Sequence, residues 1–263
     1  MSRALAARVA TAAALIAAFL AALFLLPKLW LAALVALILV AGGVEWARLC
    51  RLAGGGAWAY AVAIAAAFAA VFLFGEAVAR VMLTAAALFW LVAAPLWLAR
   101  GVNREHRAAL LASGFIVLVP AGFALAVLPP MPVLLALLLV WIADTAAYFV
   151  GRAWGRRKLA PSISPGKTWE GVAGGVFGAL AYAIICGGFV GHIAWAPLVA
   201  GAALLAVLSI VGDLFESAAK RQAGVKDSGT LLPGHGGILD RIDSATATLP
   251  LAALLLPWMR ANG

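Results

Sequence analysis

Four aspartates, a glycine turn and a set of lysines carry most of the chemistry that this sequence offers. Asp240 and Asp243 are three residues apart, a spacing that sets both on one face of a helix. Asp213 ends an apolar stretch upstream and reaches toward the same point, and Asp144, near the end of another, is a fourth candidate. Carboxylates gathered in this way are hard oxygen ligands suited to Mg²⁺, which takes one or two of them together with substrate phosphates. Two such ions would clamp the attacking and leaving oxygens of a displacement at phosphorus. Pro233-Gly234-His235-Gly236-Gly237 stands directly before Ile238-Leu239-Asp240-Arg241. A glycine turn that opens a helix presents N–H groups to an anion, which makes Gly236 and Gly237 candidates for phosphate contact. Lys220, Arg221 and Lys226 add positive charge for phosphates. His235 can donate to a phosphate oxygen or a leaving group. Taken singly, each has a plainer reading: Lys220 and Arg221 as topology signals, Asp240 beside Arg241 as charge balance, His235 as a turn residue. The cluster carries the inference.

A second group lies upstream. Ser164, Lys167 and Thr168 offer a cation and two hydroxyls to phosphate oxygens, and Pro161 and Pro165 stiffen the segment by fixing φ. Glu170 follows closely enough to orient a lysine or reach a metal. Asp144 and Tyr148 are one helical turn apart and share a face. Arg152, Arg156, Arg157 and Lys158 form a basic run suited to anionic lipid headgroups or to marking topology. Gly166-Lys167-Thr168 is not a nucleotide-binding P-loop, which needs a glycine at position 161, where this chain has proline, and a preceding strand.

The elements that must position these groups are membrane helices. The chain is 66% hydrophobic and 11% charged over 263 residues, against about half apolar and about a quarter charged in soluble domains. Lipid is the solvent such a surface needs. About nine apolar stretches have spanning length, near 9–26, 29–47, 57–75, 81–99, 108–128, 131–150, 171–190, 195–212 and 243–258. The first follows Arg3 and Arg8 but is too long for a signal core and lacks a cleavage site, so it reads as a retained helix. The expected fold is an all-α polytopic bundle. Residues 1–130 form N-terminal membrane helices, and 131–263 form a catalytic region with long loops near 151–170 and 213–242. Glu45 and Asp144 fall inside spans, where an acid needs a bundle-interior or aqueous site. Gly174 and Gly178 have the four-residue spacing that lets helices pack closely in lipid. Of the 19 Lys and Arg, only Lys28, Arg80 and Arg260 lie outside if the N-terminus is cytoplasmic. The positive-inside rule therefore gives N-in and C-out. The net charge of +9 reads as basic loops facing headgroups and a phosphate substrate, not nucleic acid. Cys50 and Cys186 make neither a metal spacing nor a disulfide framework.

The stretch Ser217-x2-Lys220-Arg221-x4-Lys226-Asp227-x-Gly229-x2-Leu232-Pro233-x-His235-Gly236-Gly237-Ile238-x-Asp240-Arg241-Ile242-Asp243 resembles the signature of the phosphatidate cytidylyltransferases. Asp144, Tyr148, Gly151-Arg152 and Ile163-Ser164-Pro165-x-Lys167-Thr168-x-Glu170-Gly171 resemble a second block of the same family. The likeness is strongest over about 141–248. It implies a polytopic membrane enzyme that makes CDP-diacylglycerol and pyrophosphate from CTP and phosphatidic acid, with Mg²⁺ as one or two ions. It also implies a homodimer, and a bacterial inner-membrane setting with the site on the cytoplasmic side. On this reading Asp213, Asp240, Asp243, Lys226 and His235 are catalytic. Asp144, Asp213, Asp240 and Asp243 hold metal. Ser164, Lys167, Thr168, Ser217, Lys220, Arg221, Gly236, Gly237 and Arg241 bind substrate. The main rival is a transporter using Glu45 and Asp144 along an ion path, against which stands the clustering of the chemistry on one face and the absence of an inverted repeat. CDP-alcohol phosphotransferases need an Asp-Gly pair, which this chain lacks.

Overall fold

The computed structural model describes residues 3–102, 106–190, 193–231 and 236–259. The chain forms α1 (Arg3–Leu25), α2 (Lys28–Leu49), α3 (Gly54–Phe74), α4 (Glu76–Leu88), a π-helical turn (Phe89–Ala93), α5 (Ala94–Arg100), α6 (Arg107–Val127), α7 (Pro130–Trp154), β1 (Lys158–Ala160), β2 (Ser164–Thr168), α8 (Trp169–Gly188), α9 (Trp195–Ala223) and α10 (Leu239–Met259). Eight helices among the described residues are long and apolar enough to cross a membrane, with the π turn joining α4 and α5 into one of them. The described apolar part of α1 is Ala13–Leu25.

The bundle departs from an all-α reading in one place. The segment after α7 is an antiparallel hairpin, with Lys158 opposite Thr168 and Ala160 opposite Ser164. Two boundaries also differ from the hydropathy reading. The apolar run ends near 212, yet α9 continues to Ala223 and stops only at Gly224, whose φ of 80° closes the helix. Likewise α10 begins at Leu239, inside the expected loop. Hydropathy stops at charged residues, whereas a helix continues through them when their side chains find partners. The loop between these helices is therefore 224–238, and Asp213, Ser217, Lys220, Arg221, Asp240 and Asp243 all sit on helices.

A single buried core joins both parts of the chain, from Leu23 through Leu251. Its aromatic centre is Phe215 of α9, fully buried, with Phe89 and Trp90 of the π turn at 5.3 and 5.7 Å and Trp97 at 5.5 Å. Trp46 of α2 stacks on it at 6.2 Å and donates from Nε1 to the Leu110 carbonyl. Close helix approach recurs at glycines. A Cβ on Gly174 or Gly178 would run into Val150 or Ala146 of α7, in agreement with the packing role read from their spacing. At Gly212 a Cβ would come 2.7 Å from the Asp243 carbonyl oxygen, so α9 and α10 nearly touch where Asp213 and Asp243 emerge. Cys50 is free and buried just beyond α2, and burial pushes its thiol up to about 12, which removes it as a nucleophile at neutral pH.

Candidate active site

The ordered hairpin places Lys167 beside α9. Lys167 Nζ is 2.5 Å from an Asp213 oxygen, and both side chains remain partly open. Ser217, one turn along α9, donates to the other Asp213 oxygen at 3.2 Å. A cavity of about 410 Å³, the more polar of two, lies here, lined by Asp144, Tyr148, Arg152, Ser164, Lys167, Thr168 and Asp213 among others. Arg152 donates to the Tyr148 hydroxyl at 2.9 Å across its edge.

The walls of this cavity are held by groups for which the sequence suggested other work. Thr168 is the N-cap of α8: its buried hydroxyl oxygen accepts from Gly171 N–H at 3.1 Å. Glu170 is engaged with backbone. Its carboxylate accepts from the N–H groups of Arg156 and Arg157 at 3.0–3.3 Å and so ties the hairpin to α8.

A second cavity, about 610 Å³, runs between α1, α2, α6, α7 and α10. Its walls are apolar, with Ile16, Phe19, Leu39, Leu125, Leu137 and Trp141 among them. Its polar end carries Asp144, Asp240, Arg241, Asp243 and Ser244. Asp144 lines both cavities. One Asp243 oxygen accepts from Ser244 N–H at 2.7 Å.

Asp240 points its bonding capacity elsewhere. Lys220 Nζ lies 2.6 Å from Oδ1 and 3.1 Å from Glu216, both in nearly buried ion pairs. Oδ2 accepts from Ser228 N–H at 2.9 Å, from Gly237 N–H at 2.8 Å, and lies 3.0 Å from the Ser228 hydroxyl. Glu45 of α2 joins the same cluster from about 190 residues away in sequence. It accepts from Ile238 N–H at 3.0 Å, Leu239 N–H at 2.9 Å and the Ser228 hydroxyl at 2.8 Å. The glycines make this closure possible: a Cβ on Gly229 would lie 2.6 Å from Glu45 Oε1, and one on Gly237 would meet both Ser228 Oγ and Glu45. Gly236 adopts φ 81°, a left-handed conformation that favours glycine.

These contacts sort the sequence candidates. Asp144, Ser164, Lys167, Thr168 and Asp213 meet at the polar cavity, and Asp144, Asp240, Arg241 and Asp243 meet at the polar end of the apolar one. Lys220 is held by Glu216 and Asp240, which occupy two of its three donors. The N–H groups of Gly237, Ile238 and Leu239 are taken by Asp240 and Glu45, so the turn differs from the anion-binding N-terminus expected of it. Arg221 lines neither cavity: it donates to the carbonyls of Ile163 and Val225 and bridges α9 to the hairpin. Lys226 is exposed on the loop and also lines neither. His235 lies outside the described residues. Sequence reasoning gave Glu216 and Ser228 no role. The i, i+4 spacing of Glu216 and Lys220 was the available signal for the first; nothing local marked the second. Glu45 was marked only as an acid in need of an interior site, and it occupies one.

Among the described residues no three His, Cys, Asp or Glu side chains stand close enough to form a protein-only metal cage. Mg²⁺ seldom needs one, because it keeps waters and substrate phosphate oxygens as ligands. Asp144, Asp213 and Asp243 fit that requirement as accessible carboxylates around the cavity junction. Asp240 also lines the apolar cavity, but Oδ2 already accepts from Ser228 and Gly237 and Oδ1 is paired with Lys220, so it is less free than the other three.

A family model described as the cytidylyltransferase family matches residues 6–259. The chain belongs to the cytidylyltransferase family. Among its curated relatives, the phosphatidate cytidylyltransferase of Pseudomonas aeruginosa is 41% identical over 267 residues, 97% of this chain and 98% of that one. The enzymes of the same name from Haemophilus influenzae and Brucella suis are 53% and 50% identical over 118 and 115 residues, 43% and 44% of this chain and 41% and 43% of their own. The upstream motif block lines the polar cavity, and Asp240, Arg241 and Asp243 of the other block line the polar end of the apolar one.

Proposed function

We propose that this protein transfers the cytidylyl group of CTP to phosphatidic acid, giving CDP-diacylglycerol and pyrophosphate. The observation that carries the reading is the junction of an apolar cavity with a polar one at Asp144, beside Asp213 and Asp243. Such a junction suits a reaction between a lipid phosphate and a water-soluble triphosphate. Acyl chains occupy the apolar cavity, entering laterally between the helices that wall it. The lipid headgroup lies at its polar end near Arg241. The triphosphate lies in the polar cavity against Lys167, Ser164 and Arg152.

A phosphate oxygen of phosphatidic acid attacks the α-phosphorus of CTP, and the bond to the β-phosphate oxygen breaks. The nucleophile is already an anion at neutral pH, so no strong general base is needed. The protein's contribution is orientation and charge neutralisation. Lys167 balances phosphate charge and in turn is aimed by Asp213, which Ser217 orients. Asp144, Asp213 and Asp243 would hold Mg²⁺. When bound, the ion draws charge from the phosphate oxygens and favours departure of pyrophosphate. Asp240 acts on the site by fixing the first turn of α10.

The same proposal places α1 as a ninth span, the N-terminus and both cavity mouths on the cytoplasmic side, and the protein in a bacterial inner membrane. The charge distribution supports this, because the basic residues gather on the side that carries the hairpin and the 224–238 loop. A homodimer belongs to the proposal through the family likeness alone, and light scattering on detergent-solubilised protein separates it from a monomer.

The test is pyrophosphate release by purified protein with CTP, Mg²⁺ and phosphatidic acid, each omitted in turn. Release that needs all three, matched by CDP-diacylglycerol, is expected. Release without phosphatidic acid, or none from folded protein, would overturn the assignment.

A further inference from the structure

The carboxylate of Glu45 belongs to neither cavity. It is buried, comes from a helix far in sequence from both motif blocks, and accepts from the start of α10 through both oxygens. A helix leaves its first N–H groups without intrahelical partners. Here two of them, at Ile238 and Leu239, are satisfied by Glu45, which thus caps α10 from another helix. Negative charge at a helix N-terminus is also favoured by the helix dipole. Ser228 lies between Glu45 and Asp240 and links the cap to the Lys220 ion pairs. The fit admits little movement, since neither Gly229 nor Gly237 has room for a Cβ beside the carboxylate. Within the following turn α10 delivers Arg241 and Asp243 to the polar end of the apolar cavity.

We propose that Glu45 is a positioning residue for the transfer: it fixes the first turn of α10 and, through that turn, the placement of Asp243 and Arg241 at the cavity junction. The inference rests on the reaction proposed above. Glu45→Gln keeps the size but replaces one acceptor oxygen by an NH₂ group that faces backbone donors. It therefore breaks the cap without leaving a void.

The experiment pairs amide hydrogen exchange with steady-state kinetics on the full-length protein in detergent. In Glu45→Gln the amides of Gly237, Ile238 and Leu239 should exchange faster, with those of α8 unchanged. The value of kcat should fall about 100-fold, the scale of a small misplacement of reacting groups. The KM for CTP should stay within about threefold, because Glu45 does not line the polar cavity, and CTP-binding stoichiometry should be preserved, which excludes an unfolded fraction. Glu45→Asp, which keeps two acceptors on a shorter stem, should recover part of the rate. Unchanged exchange at 238–239, or faster exchange with kcat within threefold of wild type, would overturn the proposal. If Glu45→Gln does not survive purification, Gly229→Ala displaces the carboxylate more gently. The same two readouts then decide, with about a tenfold loss of kcat expected. A wild-type protein that releases no pyrophosphate would sink the reaction assignment, and the cap would then stand or fall on the exchange arm alone.

Discussion

Asp240 and Asp243 stand one turn apart on α10 and both line the polar end of the apolar cavity, yet they differ in how many protein donors each holds. Asp240 faces a cluster in which Lys220, Glu216, Ser228, Glu45 and four backbone N–H groups satisfy one another. Asp243 faces the polar end of a cavity, near Asp144 and against the α9 backbone at Gly212. The two carboxylates have the same chemistry and different surroundings. What separates them is the number of protein donors each already has. A carboxylate with several protein donors is held by the structure, whereas one with few is freer to take a cation or a substrate. Lysines divide in the same way: Lys220 sits between two acids, while Lys167, with a single ion pair, lines open space.

The sharpest way to break this comparison is to neutralise one acid from each side. Asp213→Asn and Asp243→Asn should each lower turnover by about 10³-fold or more while the thermal unfolding midpoint stays near that of wild type. Near-normal turnover in either variant would remove it from the reacting site. Asp240→Asn should do the reverse in kind, destabilising the protein by about 3–5 kcal/mol because a buried lysine loses a partner. A falling unfolding midpoint and poor recovery from the membrane would report it. An unchanged midpoint with turnover abolished would place Asp240 among the reacting groups after all.

Smaller effects sharpen the boundary. Lys167→Met should raise the KM for CTP about 10- to 100-fold, the scale of a lost charged hydrogen bond or two, whereas the KM for phosphatidic acid should move little. Gly212→Ala should cost about 1–3 kcal/mol by forcing α9 and α10 apart, with the loss read as a lower midpoint and reduced turnover together. Arg241→Ala, at an exposed position, should raise the KM for phosphatidic acid only severalfold, as expected of about 1 kcal/mol from a solvent-screened charge. A larger rise in the KM for CTP than for the lipid would exchange the two cavity assignments.

Much of the site was legible because its residues cluster in two short stretches. Lys167, Asp144 and Asp213 were expected at one place and line one cavity. The close packing of α8 on α7 was legible in the spacing of Gly174 and Gly178. The helix boundaries at 213–223 and 239–242 were not, because hydropathy treats a charged residue as the end of a span. Glu216 with Lys220, and Asp240 with Ser228 and Gly237, are pairings within the folded chain, and they let the helices run on. The hairpin at 158–168 escaped for a related reason: its two prolines and glycine read as loop, and its order depends on Glu170 holding the backbone N–H groups of Arg156 and Arg157.

The sequence by itself determined the solvent, the class of fold and the family, because apolar length, charge asymmetry and motif spacing are local properties of the chain. It also determined which residue types could meet a phosphate. Which carboxylates stay open was decided only by tertiary structure. That depends on donors arriving from elsewhere, such as the backbone of residues 237–239 meeting Glu45 from the second helix, and no linear spacing encodes a hydrogen bond that spans 194 residues.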